Sequence, residues 1–157
     1  DIIFHLGEDR AARRIARAIV RSRPILTSLE LAEVIEKVNP RRGKRTHPAT
    51  QTFQAIRIAV NDELSALETA LEQAVSLLGQ GGRMAVISYH SLEDRIVKNL
   101  FRREATDCIC PPERPICDCG HTASVTLVSR RVIKPSEAEI DGNPRSRSAR
   151  LRAVERL

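Results

Sequence analysis

Apolar residues recur at helical spacing through the first half of the chain and gather into short runs in the second. From Gly7 to Arg23 (GEDRAARRIARAIVRSR), Ala11, Ile15, Ala18 and Ile19 form a narrow stripe. Arg10, Arg13, Arg14, Arg17 and Arg21 take much of the remaining circumference. This predicts an amphipathic helix, ended by Pro24 because the residue before proline avoids the helical region. Thr27-Ser28-Leu29-Glu30 fits a capping box and opens a second helix with Leu31, Val34, Ile35 and Val38 on its apolar face. His47-Pro48 opens the longest element, since proline is favoured in a helix's first turn. Phe53, Ile56, Val60, Leu64, Leu67, Leu71, Val75 and Leu78 follow at steps of three and four, with a break expected near Asn61.

Beyond the glycine-rich stop at 79–82 the pattern changes. Met84 to Ser88 (MAVIS) is a continuous apolar run after a long helix, which predicts a buried parallel strand. Ser91-Leu92-Glu93-Asp94 starts another helix with Ile96, Val97, Leu100 and Phe101 facing inward. Asp107 to His121 is a loop of cysteines and prolines, and Val125 to Ile133 alternates as a strand should. Pro135-Ser136 begins a short helical turn, and Leu151 to Leu157 closes as a strand. A lone parallel strand cannot form a sheet, so further strands are expected from elsewhere. The chain starts at Asp1 without Met and opens almost directly into a helix, which suggests a fragment.

Length and composition narrow the class. The 157 residues suffice for one domain with a core, and 41% hydrophobic with 29% charged residues is ordinary for a globular protein. No apolar run approaches the roughly 20 residues of a membrane span, and no signal pattern opens the chain, so a cytoplasmic protein without a membrane partner is expected. Lys and Arg number 26 against 20 acids, a net charge of +6, compatible with a polyanionic partner. Aromatic residues are 3%, which argues against a base-stacking platform for single strands.

Four constellations could carry chemistry. Ile87 to Arg95 (ISYHSLEDR) lies at a strand-to-helix junction, the edge where open α/β sheets bind ligands, and places His90, Ser91 and Glu93 there. Ser91 as cap with Asp94 as its third-residue partner explains those two without catalysis, whereas His90 is not required by a cap. Asn61-Asp62-Glu63 interrupts a clean apolar pattern with weak helix formers, either for a polar role or as a solvated turn. Cys108-x-Cys110-x6-Cys117-x-Cys119 is a candidate metal site, most simply tetrahedral zinc, with free thiols or disulfides as alternatives. Pro111, Pro112 and Pro115 stiffen that loop. The basic candidates for phosphate contact are the arginines of the first helix, among them Arg13 and Arg17, and the run Arg41, Arg42, Lys44 and Arg45. Arg145, Arg147, Arg150, Arg152 and Arg156 form a further cluster near the end. No G-x-G-x-x-G, Walker loop, H-E-x-x-H or G-x-S-x-G is present.

Residues 7–23, 47–64 (HPATQTFQAIRIAVNDEL), 81–98 (GGRMAVISYHSLEDRIVK) and 143–157 (NPRSRSARLRAVERL), in that order and spacing, resemble the bacterial 16S ribosomal RNA cytosine-N4 methyltransferase family, also called MraW. The CICPPERPICDCG loop resembles one that many members carry. Gln51 stands where the family usually has Arg, and Tyr89 where Phe is usual. The resemblance implies an α/β fold: part of a Rossmann-like class I methyltransferase sheet with part of a helical insertion domain. Residues 1–60 would belong to the RNA-recognising insertion and its return, and 61–157 to the carboxy-terminal half of the methyltransferase domain. The implied activity is transfer of a methyl group from S-adenosylmethionine to the exocyclic amine of a cytidine in small-subunit ribosomal RNA. The implied donor-binding segment precedes Asp1, so the chain alone would be inactive. That chemistry needs acceptors that orient the amine, for which His90, Glu93 and Asn61 are the candidates. The competing readings are a non-catalytic RNA-binding module, stabilised by zinc, and a helical protein-docking domain.

Overall fold

The computed structural model describes residues 1–40, 46–114 and 116–157. It is an α/β structure of two compact units, Asp1–Glu63 and Leu64–Leu157. No helix among the described residues is long and apolar enough to cross a membrane.

The first unit is helical: α1 (Ile2–His5), α2 (Ala12–Arg21), α3 (Ser28–Val38) and α4 (Thr50–Asn61). The expected first helix from Gly7 is thus preceded by the short α1 and begins later, at Ala12. Asp9 accounts for the delay, because its Oδ1 accepts the Ala11 amide at 2.8 Å and ties the chain into a turn before the helix starts. The α2 stripe buries Ala12, Ile15 and Ala18. Ala12 and Ile15 pack with Ile3, Ile35 and Ala49, and the half-buried Leu31 and Val38 of α3 join them. Thr27 caps α3 by accepting the Glu30 amide at 3.1 Å, while the Glu30 carboxylate reaches back to the Leu26 amide at 2.8 Å.

The long amphipathic segment is two helices, α4 and then α5 (Glu63–Leu77). Asp62 separates them in the left-handed region at φ 50° and ψ 41°. The buried face of α4 is out of step with the expected stripe. Thr52, Ala55 and Ile58 are the buried positions of α4, and Val60, expected on the stripe, is 78% exposed.

The second unit is a three-stranded antiparallel sheet with helices. Its strands are β1 (Arg83–Ser88), β2 (Val125–Leu127) and β3 (Arg150–Arg156), in the order β1-β3-β2. Register runs from Arg83 opposite Glu155 to Ser88 opposite Arg150, and from Val125 opposite Arg156 to Leu127 opposite Val154. Gly81, at φ 73°, makes the turn into β1, and its amide donates to the Arg156 carbonyl at 3.0 Å. Leu71 and Val75 of α5 form one core with Val125 and Val154 of the sheet and with Val97, Leu100 and Phe101 of α6 (Ser91–Glu104). A short α7 (Glu137–Gly142), capped by Ser136, and a 3-10 turn (Pro144–Ser148) lead into β3.

Two strand expectations need correction. β1 is neither parallel to its neighbour nor buried on both faces: its only partner among the described residues is the antiparallel β3, and Ile87 is 54% exposed. An apolar run signals burial potential, but the direction of a partner depends on where the chain returns, which periodicity does not encode. The Val125–Ile133 strand is also interrupted. It pairs over Val125–Leu127, the Val128 amide still donating to the Ala153 carbonyl at 3.0 Å, and rejoins β3 at the isolated bridge from Ile133 to Leu151.

Gly7 sits where two backbones nearly touch. A β-carbon there would lie 2.6 Å from the Ile3 carbonyl oxygen and 2.7 Å from that of Gln51. Because neither backbone can swing aside as a side chain could, Gly7→Ala is expected to destabilise the protein by about 1–3 kcal/mol. Thermal unfolding of the variant beside wild type measures this, and an unchanged midpoint would contradict the close approach.

Candidate functional site

The strand-to-helix junction after β1 is built by a reciprocal cap. His90, extended at φ −133° and ψ 166°, is the cap residue of α6. Its Nδ1 accepts the Glu93 amide at 3.3 Å. Glu93 Oε2 in turn accepts the Tyr89 amide at 2.8 Å and the His90 amide at 3.2 Å. The expected cap pair, Ser91 with Asp94, is therefore displaced by one residue: Ser91 is the first helical position, and the histidine performs the capping that serine was expected to do. An Nδ1 that accepts puts the ring proton on Nε2. That Nε2 lies 3.1 Å from Glu93 Oε1, yet it is buried and makes no aligned hydrogen bond. Ile87 and Tyr89, 54% and 57% exposed, flank this junction.

Asp94 has a different task. Its carboxylate is almost covered and accepts from Arg152 Nε at 2.8 Å, Arg152 Nη2 at 3.2 Å and Arg150 Nη1 at 3.0 Å. Burial alone would push its pKa up, but the hydrogen bonds and charges of Arg152 and Arg150 outweigh that and hold it below the ordinary aspartate value. Arg150 and Arg152, expected to contact phosphate, are thus committed to Asp94. The signal for this pairing was present: residues two apart on a strand share a face, so both guanidinium groups project to the same side of β3.

Asn61 lies in the first unit, whereas His90 and Glu93 lie in the second. Its Nδ2 donates to Glu63 Oε1 at 3.2 Å, and Arg57 clasps the same carboxylate at 2.7 and 3.0 Å. The Asn61-Asp62-Glu63 interruption is accounted for locally by the α4–α5 break and this cluster. The structure brings His90 and Glu93 together. Arg13 and Arg17 are exposed on α2, and neither makes an ion pair among the described residues. With Arg10 and Arg23 they line an open groove of about 1020 Å³ in the first unit. Arg41, Arg42, Lys44 and Arg45 lie outside the described residues, as does Pro115.

The four cysteines converge. The sulfurs of Cys108, Cys110, Cys117 and Cys119 all lie within 4.8 Å of one another, and none is bonded to another. Backbone amides of Ile109 and His121 pull the Cys119 thiol down to about 6. At Cys108 the Cys110 amide acts in the same direction, but contact with the Cys117 and Cys110 thiols outweighs it and pushes the group up to about 12.

Comparison with known proteins decides the family. A family profile described as the MraW methylase family matches residues 1–157. The chain belongs to the MraW methylase family. A ribosomal RNA small subunit methyltransferase H of Dehalococcoides mccartyi is 61% identical over 157 residues, all of this chain and 45% of that protein. One from Citrifermentans bemidjiense is 56% identical over 161 residues, 99% of this chain and 52% of that protein. One from Thermomicrobium roseum is 52% identical over 160 residues, covering 49% of its length. This MraW family chain spans about half the length of the curated relatives it matches.

The Asp94 clamp yields a signed pH dependence. A carboxylate whose folded pKa is depressed contributes stability that is complete above its unfolded value, about 3.9, and lost as pH falls through the folded value. Asp94→Asn is expected to cost about 1–3 kcal/mol near neutral pH and to flatten the acid limb of the stability curve. Urea unfolding of both proteins from neutral to acid pH tests this; parallel curves would show that the clamp carries no linkage.

Proposed function

We propose that this chain is part of an S-adenosylmethionine-dependent enzyme that methylates the N4 amine of a cytidine in small-subunit ribosomal RNA. The carrying observation is its identity of 61% over 157 residues with a protein named ribosomal RNA small subunit methyltransferase H. In this reading residues 1–60 are part of the helical insertion and 61–157 the carboxy-terminal half of a Rossmann-like domain. The free side of β1, which pairs only with β3 among the described residues, supports this, since a larger sheet would add its next strand there.

The described residues do not form a cradle for the methyl donor. No glycine-rich phosphate-type turn is present among them, and the Tyr89, His90 and Glu93 amides at the start of α6 are engaged by the His90–Glu93 box. Donor binding is assigned to the part of the relatives' length that this chain does not span. RNA contact is assigned to Arg13 and Arg17, whose guanidinium groups face solvent, and to Arg41, Arg42, Lys44 and Arg45.

The cytosine amine is a weak nucleophile because its lone pair is delocalised into the ring, so placement of the base matters more than proton removal. His90, Glu93 and Asn61 are the proposed orienting residues. Glu93 spends Oε2 on two backbone amides and so fixes the turn, and His90 offers an Nε2–H that lacks an aligned partner.

Mass spectrometry of nucleosides from small-subunit RNA, incubated with the methyl donor and the full-length protein, tests the activity. The expected product is N4-methylcytidine; no methylated nucleoside, or a ring-carbon product, would refute the reading. For the site, asparagine caps a helix well, so His90→Asn is expected to keep the fold yet reduce turnover at least about tenfold, and His90→Ala to lose stability as well. Turnover equal to wild type in His90→Asn would reduce the histidine to its capping role.

A further inference from the structure

We propose that Cys108, Cys110, Cys117 and Cys119 hold one zinc ion in a closed tetrathiolate site that orders the loop between α6 and β2.

Geometry is the first support. A zinc ion about 2.3 Å from four sulfurs at the corners of a tetrahedron sets those sulfurs roughly 3.8 Å apart. The separations here are 3.9 Å between Cys110 and Cys117, 3.5 Å between Cys117 and Cys119, and 4.0 Å between Cys119 and Cys108. These three separations are close to the edge length of such a tetrahedron, and all four sulfurs lie within 4.8 Å of one another.

Ordinary packing does not explain the gathering. No thiol here is fully buried, and the loop's apolar residues Ile109 and Ile116 are 49% and 77% exposed, so no hydrophobic core draws the sulfurs together. Among its described residues, the loop between Glu104 and Val125 contains no helix or strand. Its base is fastened, with the Ala123 amide donating to Asp107 Oδ1 at 3.1 Å and the Ser124 amide to the Glu104 carbonyl at 2.8 Å. Beyond that base, the four cysteines bring the two arms of the loop together, beside the Arg114–Asp118 pair.

The other ligand-capable groups near the cluster already have partners. His121 Nε2 lies 2.9 Å from the Arg103 carbonyl oxygen, and Asp118 pairs through Oδ2 with Arg114 while its Oδ1 accepts from the Cys110 thiol at 3.5 Å, beside the sulfur and not in place of it. Four thiolates complete the tetrahedron and leave no open position for a water or substrate, which is the arrangement of a structural metal rather than a Lewis acid. Placement agrees. The cluster follows the carboxyl end of α6, a helix of 14 residues, about 21 Å long, whose other end carries His90. On binding, the thiols release their protons to solvent as zinc–sulfur bonds form.

Metal analysis of the full chain, purified without chelator, is expected to find about one zinc per chain. Cobalt(II) in its place is expected to give the intense visible bands of a tetrahedral thiolate complex. Cys108→Ser and Cys117→Ser should each lose the metal, and Asp118→Asn should keep it. Zinc well below stoichiometric with four reactive thiols or with disulfides, or zinc undiminished in both serine variants, would overturn the proposal. If the serine variants do not fold, the wild-type stoichiometry and the cobalt spectrum decide it.

Discussion

Asp94 is the pivot of the second unit. A carboxylate this well covered is tolerable only because two arginines of β3 meet it, and their bond lengths of 2.8 to 3.2 Å are those of charge-assisted hydrogen bonds. The pairing fastens the first turn of α6 to the strand that β1 also pairs with. The β1–α6 junction is thereby held from two directions, along the sheet and through the clamp. The His90–Glu93 box sits in that junction, and its backbone geometry depends on both.

The same helix organises the opposite end of the unit. Val97, Leu100 and Phe101 bury against α5 and the sheet, so α6 is set by packing in its middle and by ionic contacts near its start. From its carboxyl end the chain leaves into the cysteine loop, where Glu104 and Asp107 anchor the returning segment. Burial would raise the Glu104 pKa, but hydrogen bonds from Ser124 and Arg103 keep it low, consistent with a carboxylate that serves as an anchor. The first unit relies instead on close helix contact: Gly7 brings two backbones together, and Ile15 and Ile35 are fully buried between helices.

Local pattern made much of this legible. The stripes of α2 and α3, the Thr27 and Ser136 caps, the interruption at Asn61-Asp62-Glu63, and the existence of β1, α6 and β3 follow from spacing and turn chemistry alone. The cysteine spacing marks four ligand-capable residues, and their sulfurs meet. At the junction after β1, His90 and Glu93 were marked for chemistry, and they do stand together. Their mutual capping was missed because histidine is an uncommon cap and Ser91 offered a more familiar one.

By itself, the sequence determined element type, the apolar faces and the candidate ligands, because those depend on residues within a few positions of each other. Only the tertiary structure decided that β1 runs against β3, that Arg150 and Arg152 answer Asp94 instead of solvent, and that α4 buries Thr52, Ala55 and Ile58 and leaves Val60 exposed. Each of these pairs a residue with a partner chosen by the return path of the chain, or selects which side of a helix meets its neighbours. Local periodicity holds no information about either.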